Sequence, residues 1–164
     1  MRGEQIQGVI GPFQDVESIV AFKDLLNRLN CENIDVRSNQ AEINCDFRQQ
    51  YLMNSRIVGI DETDLLILIG TNPKTENPVL NARVKKAVMV NGLDVAVIGP
   101  ANNLAYNYTH LGNSLQTLQE LVDGTHPFSA RLAKAELPML IVGNETLART
   151  DGKAIQNLIN ELAS

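Results

Sequence analysis

The stretch Asp64-Leu65-Leu66-Ile67-Leu68-Ile69-Gly70-Thr71-Asn72-Pro73 decides the fold class. Its five consecutive apolar residues show no polar alternation. A strand with that pattern is covered on both faces, as at the centre of a parallel sheet sandwiched between helices. Gly70 permits a tight turn after the strand, and Asn72-Pro73 sets an extended exit from it. The backbone N–H groups of this turn, with the Thr71 and Asn72 side chains, offer a cradle for a phosphate. No lysine follows at P-loop spacing, so a Walker-type loop is excluded.

Downstream, Pro78–Val90 predicts a helix with Leu80, Val84, Ala87 and Val88 on one stripe. Pro78 suits its first position and Asn91-Gly92 its end. Leu93–Ile98 predicts another buried strand, closed by Gly99-Pro100, and Ala101–Gly112 reads as irregular. Ser114 caps a helix bearing Leu115, Leu118, Leu121 and Val122, Gly124 ends it, and Pro127 opens another that runs to about Glu136. Met139–Val142 predicts the last strand. Thr150 or Asp151 then caps a helix with Ile155, Leu158, Ile159 and Leu162 on one face.

Upstream, Gln5–Ile10 and Asn33–Val36 predict strands on either side of a helix from Val16 to Leu29, capped by Asp15. Ile19, Val20, Phe22, Leu25, Leu26 and Leu29 give that helix an apolar face wide enough to pack on a sheet. Arg37–Gln50 is polar and aperiodic and reads as a long loop of the kind that is functional or makes an interface. Ile57–Ile60 reads as a short helical turn. Strands alternating with helices imply βαβ units. The expected fold is therefore α/β, a three-layer Rossmann-like sandwich with a mainly parallel sheet of about five strands, in one domain over 1–164.

Composition narrows the function. The 164 residues are 44% hydrophobic with a net charge of −5, which excludes wholesale disorder and the basic footprint of a nucleic-acid binder. Aromatics are 4% with no Trp, too few for a base-stacking platform. The two cysteines, Cys31 and Cys45, fit no zinc or redox spacing and cannot hold an iron–sulfur cluster alone; both are expected to be reduced. No apolar run reaches membrane-spanning length, and Met1–Gln5 reads as neither a signal nor an Arg-rich transit peptide.

In an open α/β sheet, ligands bind beyond the carboxyl ends of the strands. Three loops qualify: Gly11–Asp15, which lacks GxGxxG spacing, Gly70–Asn77, and Gly99–Asn103. His110 and His126 have no spaced metal partner and read as hydrogen-bonding surface or cap residues. Glu62 and Asp64 lie at the strand's entrance, the wrong end for catalysis, and Arg83, Lys85 and Lys86 read as a solvated helix face.

The sequence from Asp61 to Pro78, an acidic entry, an apolar strand, Gly-Thr-Asn-Pro and a Pro-started helix, resembles the molybdopterin oxidoreductase superfamily. Arg37-Ser38-Asn39, Tyr51-Leu52-Met53-Asn54, Asn81–Lys86, Val97-Ile98-Gly99, Tyr108–Gly112 and Gly124–Ser129 narrow it. In that order they are similar to the family of large iron–sulfur subunits of respiratory complex I, NADH:ubiquinone oxidoreductase. The chain resembles that family's C-terminal, molybdopterin-enzyme-like half, without its cysteine-rich region.

The resemblance implies a structural and assembly domain of the NADH-oxidising peripheral arm, enzymatic only as a component of complex I. It implies no catalytic residue, no metal site and no cofactor in this chain. Gly70, Thr71, Asn72 and Pro73 are then a relic loop, equivalent to one that contacts a guanine-dinucleotide cofactor in molybdenum enzymes. The acidic residue that commonly follows the next strand there, and can bind a ribose, is replaced here by Gly99-Pro100. Iron–sulfur clusters are expected in a partner, above all the cysteine-rich half of the large iron–sulfur subunit. The other partners are further peripheral-arm subunits, with no nucleic acid and no direct membrane insertion. Tyr106 and Tyr108, two of the chain's three tyrosines, are the expected interface anchors. The implied location is the matrix side of the mitochondrial inner membrane, or the cytoplasmic face of a bacterial inner membrane. The alternative is a nucleotide- or molybdopterin-binding domain of an active oxidoreductase.

Overall fold

Asp15 starts the first helix because its carboxylate accepts from the Ser18 N–H at 2.9 Å, satisfying a donor that the helix itself leaves unpaired. In the computed structural model, which describes residues 3–11, 13–36, 48 and 51–163, the chain forms two compact units, Met1–Gln40 and Ala41–Ser164. The first holds a 3-10 turn at Gly3–Gln5, β1 (Gly8–Val9), α1 (Val16–Arg28) and β2 (Ile34–Asp35). β1 and β2 pair in parallel, Gly8 opposite Ile34 and Val9 opposite Asp35. Both are shorter than the periodicity suggests. Of the broad apolar face of α1, only Leu26 is buried, with Ile19 and Phe22 partly so. Two paired strands of two residues cannot cover the wide stripe that the sequence presents. The loop Arg37–Gln50 and Cys45 lie, apart from Arg48, outside the described residues.

The second unit follows the expected plan more closely. A 3-10 turn at Ile57–Asp61 leads into β3 (Leu65–Ile69), then α2 (Pro73–Glu76), α3 (Pro78–Asn91) and β4 (Asp94–Ile98). β5 (Thr109–Gly112), α4 (Leu115–Val122), α5 (Ser129–Leu132), β6 (Pro138–Val142), α6 (Asn144–Leu147) and α7 (Gly152–Leu162) complete it. The strands form one parallel sheet in the order β5-β4-β3-β6. Leu65 to Ile69 align residue for residue with Asp94 to Ile98 on one side and Pro138 to Val142 on the other.

β3 is the centre, and all five of its residues are buried. Leu66 and Leu68 join Val95, Val97, Val84 and Ala87 beneath α3. Leu65, Ile67 and Ile69 join Ala96, Ile98, Leu118, Leu121 and Ile155 beneath α4 and α7. The period of two along the strand thus divides one apolar run between two cores, which makes the three layers. The strand count departs from a single sheet of about five: among the described residues four strands share this sheet and two pair separately.

Three local expectations are corrected. Thr109–Gly112, read as irregular, is the edge strand β5. An edge strand needs little apolar surface, and this one has only Leu111 packed on a core. The helix expected from Pro127 to about Glu136 is the single turn α5. The Asp64 carboxylate takes the Glu136 and Leu137 N–H groups, at 3.0 and 2.9 Å, and leads the chain into β6 instead. Asp151, one of the two caps expected, does stand at the N-cap of α7, but its carboxylate makes no cap bond and instead forms a two-point ion pair with Arg149, at 2.7 and 2.8 Å.

Candidate functional site

Each strand of the larger sheet ends in glycine: Gly70 after β3, Gly99 after β4, Gly112 at the end of β5 and Gly143 after β6. The strand ends are bound to one another at 2.8 Å, Gly70 N–H to the Ile98 carbonyl, Gly99 N–H to Gly112 and Gly143 N–H to Ile69. A Cβ on Gly143 would meet the Gly70 carbonyl oxygen at 2.1 Å, and one on Gly70, which has φ +58°, would meet Thr146 Oγ1 at 1.8 Å. Only glycine allows the loops to converge this tightly. The structure therefore brings together the Gly70 and Gly99 loops, as expected. It adds Gly112 and Gly143, which carry no motif and whose role depends on strand order.

Beside these glycines, on the α4 and α7 side, lies a cavity of about 300 Å³ walled by Gly70, Gly99, Ser114, Glu145, Thr146 and Arg149. Its polar groups are largely committed. Thr146 donates to the Gly70 carbonyl at 3.3 Å, Ser114 caps α4 by accepting from the Thr117 N–H, and Arg149 is held by Asp151. The hydrogen bond and charge of Arg149 hold the half-buried Asp151 carboxyl below its ordinary range.

The Gly-Thr-Asn-Pro turn is also internally satisfied. Glu76 Oε2 accepts from the Thr71 hydroxyl at 2.7 Å and Oε1 from the Asn72 N–H at 2.6 Å. Asn72 Oδ1 accepts from the Lys74 N–H at 3.2 Å, and Pro73 is buried beneath. The two donors that suited a phosphate thus hold the chain's own carboxylate, and an external anion must displace Glu76. No carboxylate stands at Gly99-Pro100, and a cavity of this size lies at the small end of ligand sites.

Tyr106 and Tyr108 lie against the core beneath α3. The Tyr106 hydroxyl donates to Asn81 Oδ1 at 3.0 Å, and burial pushes its pKa up to about 12. The Tyr108 hydroxyl donates to the Asn102 carbonyl at 2.7 Å and accepts from the Asn102 N–H at 2.9 Å, closing the segment on itself. His110 hydrogen-bonds the Gly99 carbonyl at 2.7 Å, and His126 Nδ1 accepts from the Phe128 N–H at 3.1 Å, within the hydrogen-bonding surface or cap roles expected of them. Arg83 pairs with Asp61 at 2.7 Å, while Lys85 and Lys86 are exposed. Asp64, at the opposite end of the sheet from the cavity, is held below the ordinary carboxylate range chiefly by the Leu137 N–H. Cys31 is buried, its thiol donating to the Ile6 carbonyl at 3.1 Å. Among the described residues no three His, Cys, Asp or Glu side chains converge as a metal site requires.

The sequence profile of molybdopterin oxidoreductases matches residues 1–164. The chain belongs to the molybdopterin oxidoreductase family. It is 41% identical, over 98% of its length, to the NADH-ubiquinone oxidoreductase 75 kDa subunit of Reclinomonas americana. It is 39% identical, over 99%, to the mitochondrial NADH dehydrogenase (ubiquinone) iron-sulfur protein 1 of Solanum tuberosum. With an NADH-quinone oxidoreductase subunit of Rickettsia felis it shares 36% identity over its whole length. The chain spans 25, 22 and 24% of these relatives' own lengths, about a quarter.

Proposed function

We propose that this family member is a structural and assembly domain of the NADH-oxidising peripheral arm of respiratory complex I and carries no redox centre itself. One observation bears most of the weight: similarity to complex I large-subunit relatives runs along essentially the whole chain. The site chemistry supports the second half of the reading. Glu76 occupies the donors of the Gly-Thr-Asn-Pro turn, and the strand end at Gly99 offers no ribose-binding carboxylate. The domain's work is then mechanical. It holds the cysteine-rich, cluster-bearing polypeptide and its neighbouring subunits in register, on the matrix side of the mitochondrial inner membrane or the cytoplasmic face of a bacterial one. No helix among the described residues is long and apolar enough to cross that membrane.

Tyr106 and Tyr108 serve the proposed interface from beneath. Their hydroxyls fix the segment that presents the exposed Asn103, Ala105 and Asn107 outward. Asn107→Arg, which sets a bulky charge on the exposed surface of this segment and leaves the tyrosines in place, is expected to impair assembly of the NADH-oxidising complex on native gels while the chain still folds. Normal assembly and normal NADH oxidation would remove this segment from the interface. The second reading, a nucleotide- or molybdopterin-binding domain, is favoured by the cavity's place at the carboxyl ends of the strands. Calorimetric titration with NAD and with a molybdopterin guanine dinucleotide separates the two. Affinity of about micromolar or better, near −8 kcal/mol, selects the binding domain.

A further inference from the structure

A sheet edge is a row of unpaired N–H and C=O groups, and the two edges of this sheet are finished differently. β5 is blunted. Thr109 and His110 are exposed, the His110 ring turns back to the Gly99 carbonyl, and the ladder with β4 shifts register between Val97 and Ile98. A register shift and polar side chains are ordinary protections of an edge. β6 has neither. Pro-Met-Leu-Ile-Val pairs with β3 over five residues without a shift, and Met139 to Val142 are only partly buried.

The hydrogen bonding tells which groups of β6 face outward. Gly143 N–H donates to the Ile69 carbonyl. In a parallel ladder a residue turns its N–H and C=O to the same neighbour, and successive residues alternate. Ile141 therefore faces β3, whereas Leu140 and Val142 turn theirs to the outer side, where no described strand pairs. Along that edge runs a groove of about 820 Å³, walled by Leu52–Ser55 on one side and by α7, with Gln156, Ile159 and Asn160, on the other. None of its lining side chains is ionisable, in a chain of which 20% is charged.

We propose that the β6 edge is a strand-addition site. Its occupant is an uncharged strand with apolar residues at alternate positions, running parallel to β6, supplied by the part of a large iron–sulfur polypeptide that lies outside the matched span. Three observations select this occupant. The order β5-β4-β3-β6 reproduces the 3-2-1-4 half of a doubly wound sheet, in which a fifth strand lies parallel beside the fourth. The lining without charge admits an apolar strand and rejects an acidic or basic one. A recessed edge with walls on both faces accepts one slender strand and excludes a second copy of the same walled edge. The relatives carry the polypeptide to supply it, since the matched span is 22–25% of their length.

Amide hydrogen exchange on the full chain tests this, alone and with short overlapping peptides tiling the Reclinomonas americana relative outside the matched span. In the chain alone, the Leu140 and Val142 amides are expected to exchange roughly tenfold or more faster than that of Ile141. One cluster of uncharged, apolar-alternating peptides is expected to slow both by a similar factor and leave Ile141 unchanged. Asn160→Lys, which places a charge at an exposed position on the groove wall, is expected to abolish that protection without changing the melting curve. The proposal falls if both amides are already as slow as Ile141 in the chain alone. It also falls if no peptide in the tile protects them, or if they are protected by a concentration-dependent dimer of the chain.

Discussion

α1 and β3 each carry a strong apolar pattern, yet the structure uses them in opposite ways. β3 buries all five residues, divided between two cores. α1 buries Leu26 and leaves Val16, Val20 and Leu25 between 52 and 70% exposed, with Leu29 at its C-cap 45% exposed. The difference lies in what surrounds each. β3 has a five-residue parallel neighbour on either side and a helix layer on either face. α1 has β1 and β2, two residues each, within its own unit. An apolar pattern measures the capacity to be buried, and realising it requires area of matching size in the same unit.

The contrast is tested most directly at Leu68, which is fully buried beneath α3. Leu68→Ala is expected to cost about 2–5 kcal/mol in denaturant unfolding, the sum of lost transfer energy and the cavity left behind. A loss below about 1 kcal/mol would mean that the region around β3 collapses freely and is not the rigid centre described.

The second effect, smaller and pH-dependent, comes from the same core. Tyr106→Phe removes the donor to Asn81 Oδ1 and leaves a buried amide oxygen without it, at an expected cost of about 1–3 kcal/mol near neutral pH. The sign with pH follows from burial, which raises the Tyr106 pKa from 10.0 to about 12 in the folded chain. The folded state then holds the phenolic proton more tightly than the unfolded state. Its contribution is complete below pH 10 and is lost as pH rises through 12. The stability gap between wild type and Tyr106→Phe is expected to narrow over that window in urea titrations. A gap that is constant or widens contradicts the buried, protonated hydroxyl.

What was legible in the sequence follows the same division. The Leu65–Ile69 strand, the Pro78 helix with its Gly92 end, and the Ser114 cap were readable because each signal is local: an unbroken apolar run, a fixed proline φ, a left-handed glycine, a side chain reaching three residues on. The features that failed are decided at long range. α5 stops early because Asp64, more than seventy residues away, takes the Glu136 and Leu137 amides. β5 is hidden in the sequence because an edge strand carries little apolar pattern. At the candidate site, Gly70 and Gly99 were legible as turn residues. Gly143 was legible as the end of the last strand but not as part of the site, because its need for glycine is a 2.1 Å approach to the Gly70 carbonyl across the sheet. The capture of the Thr71 and Asn72 donors by Glu76 was missed, although a carboxylate that close downstream is a local signal.

A near-silent substitution tests the other side of the contrast. Leu25 lies on α1 at 52% exposure, although the helix period places it within the apolar stripe. Leu25→Ala forfeits part of one side chain's burial, and Ala is the better helix former, so the two contributions nearly cancel. The expected change in unfolding free energy is within about 0.5 kcal/mol, as for other exposed positions. Leu26→Ala, one residue on and 3% exposed, is the internal control, because it also empties the space against Gly8, where an added Cβ would meet Leu26 Cδ1 at 2.3 Å. If Leu25→Ala matches Leu26→Ala, the outer stripe of α1 is covered in solution and the contrast with β3 disappears. If Leu25→Ala is silent and Leu26→Ala costs about 2 kcal/mol or more, α1 is a helix with one satisfied side and one open side.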